Sequence, residues 1–283
     1  MKSVYFFSML AIFLASCTVP RYMYSPSAQN VPVLVKQGDS KLSANYSTDF
    51  TGSPFGTSSN GTYNKNEGLD LQGAVALTNN FAIQANYFNR RERDYTDREN
   101  PKNSGINYKR ELTEIGIGYF NSMHRRDKVM FQIFGGVGKG AFSFTDQVTD
   151  FTSPLVTKHH SADVFKIYFQ PAFIFRVREN FGLSVSTRFS IIKFSNIQTD
   201  YTVLQLDDYR LRHLDYGSHV FFEPAFTNTF GFNKLPGVKF QYQILAALRI
   251  SEPFIDHRSF NFSVGMLLDV SKLFKPAQAG EKN

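Results

Sequence analysis

The chain reads as all-β. The expected fold is a closed, antiparallel, up-and-down transmembrane β-barrel of about ten strands, preceded by a signal peptide and an extended tether. Three observations lead there. Apolar and polar side chains alternate with period two, which is the periodicity of a strand, whose successive Cβ atoms point to opposite faces. The connections between these stretches alternate long and short. The polar parity also carries ionisable groups in mid-strand, which a lipid-facing surface would reject and a polar lumen accepts.

The alternation is clearest over residues 162–196. Phe165, Ile167, Phe169, Phe173, Phe175 and Val177 share one parity, and Lys166, Tyr168, Gln170 and Arg176 the other. After the turn Arg178-Glu179-Asn180, Phe181, Leu183, Val185, Phe189 and Ile191 oppose Ser184, Ser186, Arg188 and Ser190. Ten strands follow from this pattern, at about 40–52, 67–78, 81–93, 107–121, 128–146, 162–178, 181–197, 218–232, 237–251 and 260–274. Most exceed the ~5–6 residues usual in soluble sheets and suit a tilted bilayer span of ~9–11 residues. The short connections are 78–80, 122–127, 178–180 and 233–237. The longer ones are about 53–66, 94–106, 147–161, 198–217 and 252–259. Bacterial barrels pair short periplasmic turns with longer outer loops and use even strand numbers. On that rule both chain ends belong in the periplasm.

The leader comes first in the chain. Residues 1–16 read as a secretory signal peptide, with Lys2 as the positive region and Val4 to Leu14 as the apolar one. Leu14-Ala15-Ser16-Cys17 looks like a bacterial lipobox, which implies cleavage before Cys17 and lipidation there. Cys17 is the only cysteine, so no disulfide is possible within the chain. Residues 17–39 then read as a lipidated tether, extended around Pro26 and Pro32, each of which removes a backbone donor. The stretch from Tyr24 to Leu34, followed by Gly38-Asp39, resembles the opening segment of small lipidated outer-membrane β-barrel proteins of the Bacteroidota. That resemblance covers about 16 residues and implies a location and a fold, not a reaction. Residues 40–274 form the expected barrel. Its last strand ends at Phe274, like a terminal-aromatic assembly signal, and residues 275–283 form a tail.

Composition narrows the function classes. The chain has 283 residues, 30 Phe, 14 Tyr and no Trp, and a mean hydropathy of -0.27. The net charge of +7 falls to +6 when Lys2 leaves with the leader. The basic residues are scattered over many turns and loops, which argues against nucleic acid as a partner. Expected partners are outer-membrane lipids and lipopolysaccharide, with the barrel-assembly machinery during biogenesis. The competing fold is a soluble, calycin-like binding barrel, with the apolar parity inside.

No nucleophile elbow, P-loop or dinucleotide motif is present, and no catalytic, metal or cofactor site is expected. Three groups of residues carry candidate chemistry. His159, His160, His213, His219 and His257 fall in or beside outer loops, with His124 in a short turn, and read as solvated. His219 with Ser218 would be the pair for a lipid-deacylating site, but neighbours in a strand point apart. The charge run Arg90-Arg91-Glu92-Arg93-Asp94, Asp97-Arg98-Glu99, Lys102 and Lys109-Arg110-Glu111 reads as a solvated hairpin end, or as a contact for outer-leaflet phosphates. Asp70, Glu114, Lys166, Arg176, Arg188, Glu223, Arg249 and Asp269 are the expected lumen charges, lining a narrow path or forming a plug of ion pairs. Ten strands lie near the filled end of the barrel size range, which favours the plug. Pro171 and Pro224 lie within strands on the apolar parity, where bulges are expected. The resulting function is a structural or surface-interaction role. A narrow channel and a lipid-modifying enzyme are the alternatives.

Overall fold

The structure, a computed structural model, describes residues 20–50, 63–95, 105–123, 127–148, 156–178, 180–232, 234–235, 237–252 and 254–273. Its wall is built from β1 (Ser40–Phe50), β2 (Tyr63–Ala76), β3 (Phe81–Tyr95), β4 (Gly105–Ser122), β5 (Val129–Val148) and β6 (Val156–Arg178). It continues through β7 (Phe181–Thr199), β8 (His219–Gly231), β9 (Val238–Ala246), β10 (Leu248–Arg249) and β11 (Phe260–Asp269). Among the described residues, two short helical segments, α1 (Val203–Asp208) and α2 (Val270–Leu273), lie outside the sheet.

Each strand from β1 to β8 pairs antiparallel with the next, β8 pairs with β9, β9 with β11, and β11 with β1. The sheet therefore closes on itself. β9 and β10 keep one register against β8 and act as a single wall strand, so the barrel has ten. All ten predicted strands are present. The last is shorter than expected. It stops at Asp269, opposite Lys41, because β1 begins at Ser40 and β9 at Val238 and no neighbour extends further. A helical turn follows, and Phe274 lies outside the described residues.

The two prolines do not produce bulges. Ile133 of β5 faces Pro171, whereas the β6–β7 pairing skips Gln170 and Pro171 and resumes in the same register. Thr187 of β7 faces Pro224, whereas the pairing of β8 with β9 and β10 skips Glu223 and Pro224. A missing N–H affects one neighbouring strand only, and leaving a gap there costs less than inserting a residue into the ladder. The register shifts of this region lie instead between Ser161 and Asp163 and between Arg176 and Arg178.

The two faces separate cleanly. Along β3 and β4, exposed and buried residues alternate almost without exception. The apolar parity points outward. Ile117 is 61% exposed and Phe169 48%, and Leu71, Ile83, Ile167, Val185, Ile244 and Val264 join them in a continuous belt. Arg90, Glu114, Lys166, Arg188 and Glu223 point inward and are buried. This is inside out for a soluble barrel and correct for a wall that meets lipid. The calycin-like alternative, with its apolar parity inside, is thereby overturned.

The interior is more aromatic than the alternation suggested. Phe88, Tyr108, Phe142, Phe144, Phe194 and Phe221 form an inner cluster towards the long-loop end. Leu34, Phe120, Phe134, Tyr168 and three alanines close the short-turn end. Inward glycines make room for these rings. A Cβ on Gly118 would lie 2.3 Å from Phe134 Cδ1, and one on Gly136 would lie 2.6 Å from the Tyr168 hydroxyl.

The outward belt generates a direct test. Ile167→Arg places a guanidinium in the middle of the apolar belt and is expected to cost about 2–4 kcal/mol of folding free energy in a bilayer. Ile167→Leu is expected to cost less than about 1.5 kcal/mol. Urea titration of the protein folded into vesicles, read by heat-modifiable gel mobility, checks both.

Candidate functional site: the strap-filled lumen

The segment expected to be a tether is extended, but it runs inside the barrel. Nearly every residue from Arg21 to Leu34 is buried. Its proline-punctuated sequence suits this course, because an extended chain without helical hydrogen bonds must satisfy its polar groups from the surrounding wall.

The wall meets that need step by step. At the long-loop end the Pro20 carbonyl accepts from the Tyr108 hydroxyl at 3.3 Å. The Arg21 guanidinium pairs with Asp146 and stacks 3.9 Å over the Tyr209 ring. The Met23 N–H donates to the Asp256 carbonyl at 2.9 Å, and the Arg258 N–H to the Tyr24 carbonyl at 2.8 Å. The strap is thus bridged, strand-like, to the loop between β10 and β11. Deeper in the lumen the Tyr24 hydroxyl donates to Glu223, and the Ser25 hydroxyl to Asp49 at 2.7 Å. The Pro26 carbonyl accepts from Asn261 at 2.7 Å, the Ser27 hydroxyl from Arg188 at 3.0 Å, and the Ala28 carbonyl from Gln72 at 2.8 Å. The Gln29 N–H donates to Gln243 at 2.7 Å and its carbonyl accepts from the same side chain at 3.0 Å.

The proline gaps belong to this scheme. Gln29 Nε2 donates at 2.6 Å to the Glu223 carbonyl, beside the gap that Pro224 leaves. Gln170, beside Pro171, donates at 2.7 Å to the Asn30 carbonyl and accepts from Arg188 Nε at 2.9 Å. The strap leaves at the short-turn end, where the Gln37 N–H donates to Asn79 at 3.0 Å and the Gly38 N–H to the Ala76 carbonyl at 2.9 Å. Gly38 takes a φ of +84°, which turns the chain back into β1.

Ion pairs fill the remaining space. Lys166 lies 2.9 Å from Glu114, with Arg188 at 3.9 Å from the other oxygen of that carboxylate. Arg90 pairs with Asp49 and lies 3.8 Å from Asp70. Glu92 sits between Arg110 at 2.6 Å and Arg258 at 2.8 Å, and Arg258 also holds Asp94 at 2.9 Å. Lys41 meets Asp269 at 2.5 Å near the short-turn end. Among the described residues, the buried charged side chains are seven cations (Arg21, Lys41, Arg90, Arg110, Lys166, Arg188, Arg258) and eight carboxylates (Asp49, Asp70, Glu92, Asp94, Glu114, Asp146, Glu223, Asp269). Among these residues the balance is close to neutral.

Of the eight expected lumen charges, Asp70, Glu114, Lys166, Arg188 and Glu223 meet in this network. Asp269 pairs at the short-turn end. Arg176 is half-buried near the same end. Arg249 turns towards its own loop, bonding to the Ser251 carbonyl and stacking 4.3 Å over Phe254. The charge run is not a solvated loop. β3 extends to Tyr95 and β4 begins at Gly105, so period two continues through the charges. Arg90, Glu92, Asp94 and Arg110 point in, whereas Arg91 and Lys109 point out. Asp97, Arg98, Glu99 and Lys102 lie outside the described residues. Strict parity along 81–95 was the signal available for these inward groups. For Arg258 and Arg21, both outside strands, the sequence held none.

The histidines also depart from expectation. His160 is buried against Phe144, at 5.2 Å between ring centroids, and His219 Nε2 lies 3.0 Å from the Leu214 carbonyl. His257 Nε2 lies 3.1 Å from the Ala247 carbonyl, and burial holds its imidazole below its ordinary pKa. His159 and His213 are exposed, and His124 lies outside the described residues. Ser218 is exposed and His219 buried, so the two do point apart. Among the described residues, no three metal-ligating side chains cluster.

The mouth at the long-loop end is capped. Residues 200–217 carry α1, which opens on a capping box between Thr202 and Gln205. Tyr201, Leu211 and Leu214 pack down onto the inner aromatic cluster. The Tyr201 hydroxyl donates to Asp146 at 2.7 Å. Burial, and that neighbouring carboxylate, hold its phenol far above its ordinary pKa, so it remains a donor.

No family model and no curated protein matches the chain. Among solved structures it is similar to an outer membrane channel from Pseudomonas putida F1, with 8% identity over 85% of this chain and 99% of that one, and a TM-score of 0.44. It is also similar to the translocator domain of the autotransporter NalP from Neisseria meningitidis, with 9% identity over 82% and 88% and a TM-score of 0.47. A third is the outer membrane protease OmpT from Escherichia coli, with 10% identity over 82% and 93% and a TM-score of 0.41. These likenesses assign no residue a role. The closed barrel rests on the strand pairing described above.

The network yields a second test. Arg258→Ala leaves Glu92 and Asp94 buried with one partner fewer and is expected to destabilise the barrel by about 3–5 kcal/mol. Lys109→Ala, which removes an exposed pair with Glu111, is expected to cost less than about 1 kcal/mol. The same vesicle titration distinguishes them.

Proposed function

We propose that the protein is a lipid-anchored integral β-barrel of a Gram-negative outer membrane, sealed by its own N-terminal strap and serving a structural or surface-interaction role. The single observation that carries this reading is the strap itself. A wall that faces lipid encloses a lumen whose polar groups bond to residues 21–34 and to one another. The reading assigns no reaction to the chain. Short turns face the periplasm and long loops face outward, by the general rule for such barrels.

Two further features fit the outer surface. Above the apolar belt, Lys65, Arg91, Arg93 and Lys109 point outward around a groove of about 580 Å³. Arginine and lysine at that height suit the phosphates of lipopolysaccharide, whose bidentate recognition favours arginine. Glu67 and Glu111 pair with Lys65 and Lys109, which moderates the attraction. On the cap, Val203, Leu204 and Tyr216 are exposed apolar groups, available to a surface partner. Assembly by the barrel-assembly machinery is part of this reading.

The intact protein in a planar bilayer is expected to show no discrete conductance, whereas a variant lacking residues 21–34 is expected to conduct if it closes. Steady channel events from the intact chain would replace the sealed reading with the narrow channel. Replacing Arg91 and Lys109 together by alanine is expected to weaken lipopolysaccharide binding several-fold in low salt, with less effect in high salt. Cys17→Ala is expected to abolish incorporation of labelled palmitate.

A further inference from the structure

We propose that the barrel carries its own N-terminus to the outer face of the membrane, so that the acyl chains on Cys17 enter the outer leaflet and not the periplasmic one. The inference rests on the proposed reading of a lipid-anchored membrane barrel, including acylation at Cys17, and on its assignment of long loops to the outside. It departs from the expectation that both chain ends are periplasmic.

The direction of the strap is the starting point. Its first described residue, Pro20, accepts a hydrogen bond from Tyr108, and Arg21 pairs with Asp146 under the cap of residues 200–217. Its far end meets Asn79 in the short turn between β2 and β3. β11 also ends at the short-turn side, beside Lys41. The strap and the last strand therefore present their free ends at opposite mouths.

Chain length makes this binding on Cys17. Only Thr18 and Val19 separate it from Pro20, and three residue steps reach at most ~11 Å. Residues 20–34 span roughly 45–50 Å when extended, more than the ~30 Å of hydrocarbon. On the proposed orientation, a chain leaving Pro20 at the long-loop mouth can bring Cys17 no further than ~11 Å from it, short of the periplasmic leaflet. The lumen has no room for acyl chains, because aromatic clusters and ion pairs occupy it. Withdrawing the strap to the periplasm would leave Asp49, Glu223 and Arg188 without the partners that Ser25, Tyr24 and Ser27 supply. Buried charges stripped of partners are costly. The strap must be in place as the wall closes around it, since an acylated end could not thread a filled lumen afterwards.

Single-thiol variants of the full chain test this in whole cells with a membrane-impermeant maleimide-biotin. Acylation blocks the native thiol, so Thr18→Cys reports the N-terminus, Leu204→Cys the long-loop side and Asn79→Cys the short-turn side. The expected result is that Thr18→Cys and Leu204→Cys label in intact cells as fully as after permeabilisation, whereas Asn79→Cys labels only after it. Thr18→Cys behaving like Asn79→Cys would overturn the proposal and leave the membrane barrel standing. Leu204→Cys protected while Asn79→Cys reacts would instead overturn the orientation beneath it. If Thr18→Cys is silent in both states, an epitope inserted between Thr18 and Val19 decides: antibody binding on intact cells supports the proposal, and binding only after permeabilisation refutes it. Labelled palmitate must be found in the biotinylated fraction. Palmitate confined to the unbiotinylated chain would refute the outer-leaflet anchor.

Discussion

A closed ring of ten strands with an apolar exterior has to dispose of its inward side chains, and here that constraint governs the rest. Lipid takes the outward parity at no cost in hydrogen bonds. The inward parity has no bulk water to solvate it, so every cation and carboxylate must find a partner within a space one side chain deep. Seven cations and eight carboxylates do so, but not by wall-to-wall contact alone. The strap supplies hydroxyls, carbonyls and amides that give wall residues a further partner, as Ser25 does between Asp49 and Arg90.

The same constraint explains the prolines. A ladder gap in a closed wall is tolerable only if the carbonyls it frees are bonded elsewhere. Gln29 meets that need beside Pro224. The gap beside Pro171 lies next to Gln170, whose side chain engages both Arg188 and the strap. Strap and gaps are therefore complementary, and neither is a flaw considered with the other. The inward glycines around Tyr168 serve a related purpose, letting one large ring close the short-turn end.

Occupancy underlies the proposed function. A lumen filled by the protein's own chain, nearly neutral and capped by residues 200–217, offers no solute path among the described residues. What it leaves available is the outer surface: a belt for lipid, a charged row above it, and an apolar tip on the cap. The chain's path also ties the position of residue 20 to one mouth.

Period two alone was enough to read the ten strands, their parity and five of the central lumen charges, because alternation is a local property of a pleated chain. It held even through the charge run at 90–94, where dense charge suggested a loop while parity still marked Arg90, Glu92 and Asp94 as inward. The course of residues 20–34 was not legible. Extended backbone with prolines looks the same whether it hangs in water or lies in a lumen, and only the closed wall decided between them. Arg258 was hidden for the same reason: it sits in a connection with no periodicity, and only the folding of that connection into the mouth brings it to Glu92. The sequence by itself determined which side chains share a face. The tertiary structure decided what fills the space they enclose, because that filling is made by contacts between residues up to 235 positions apart.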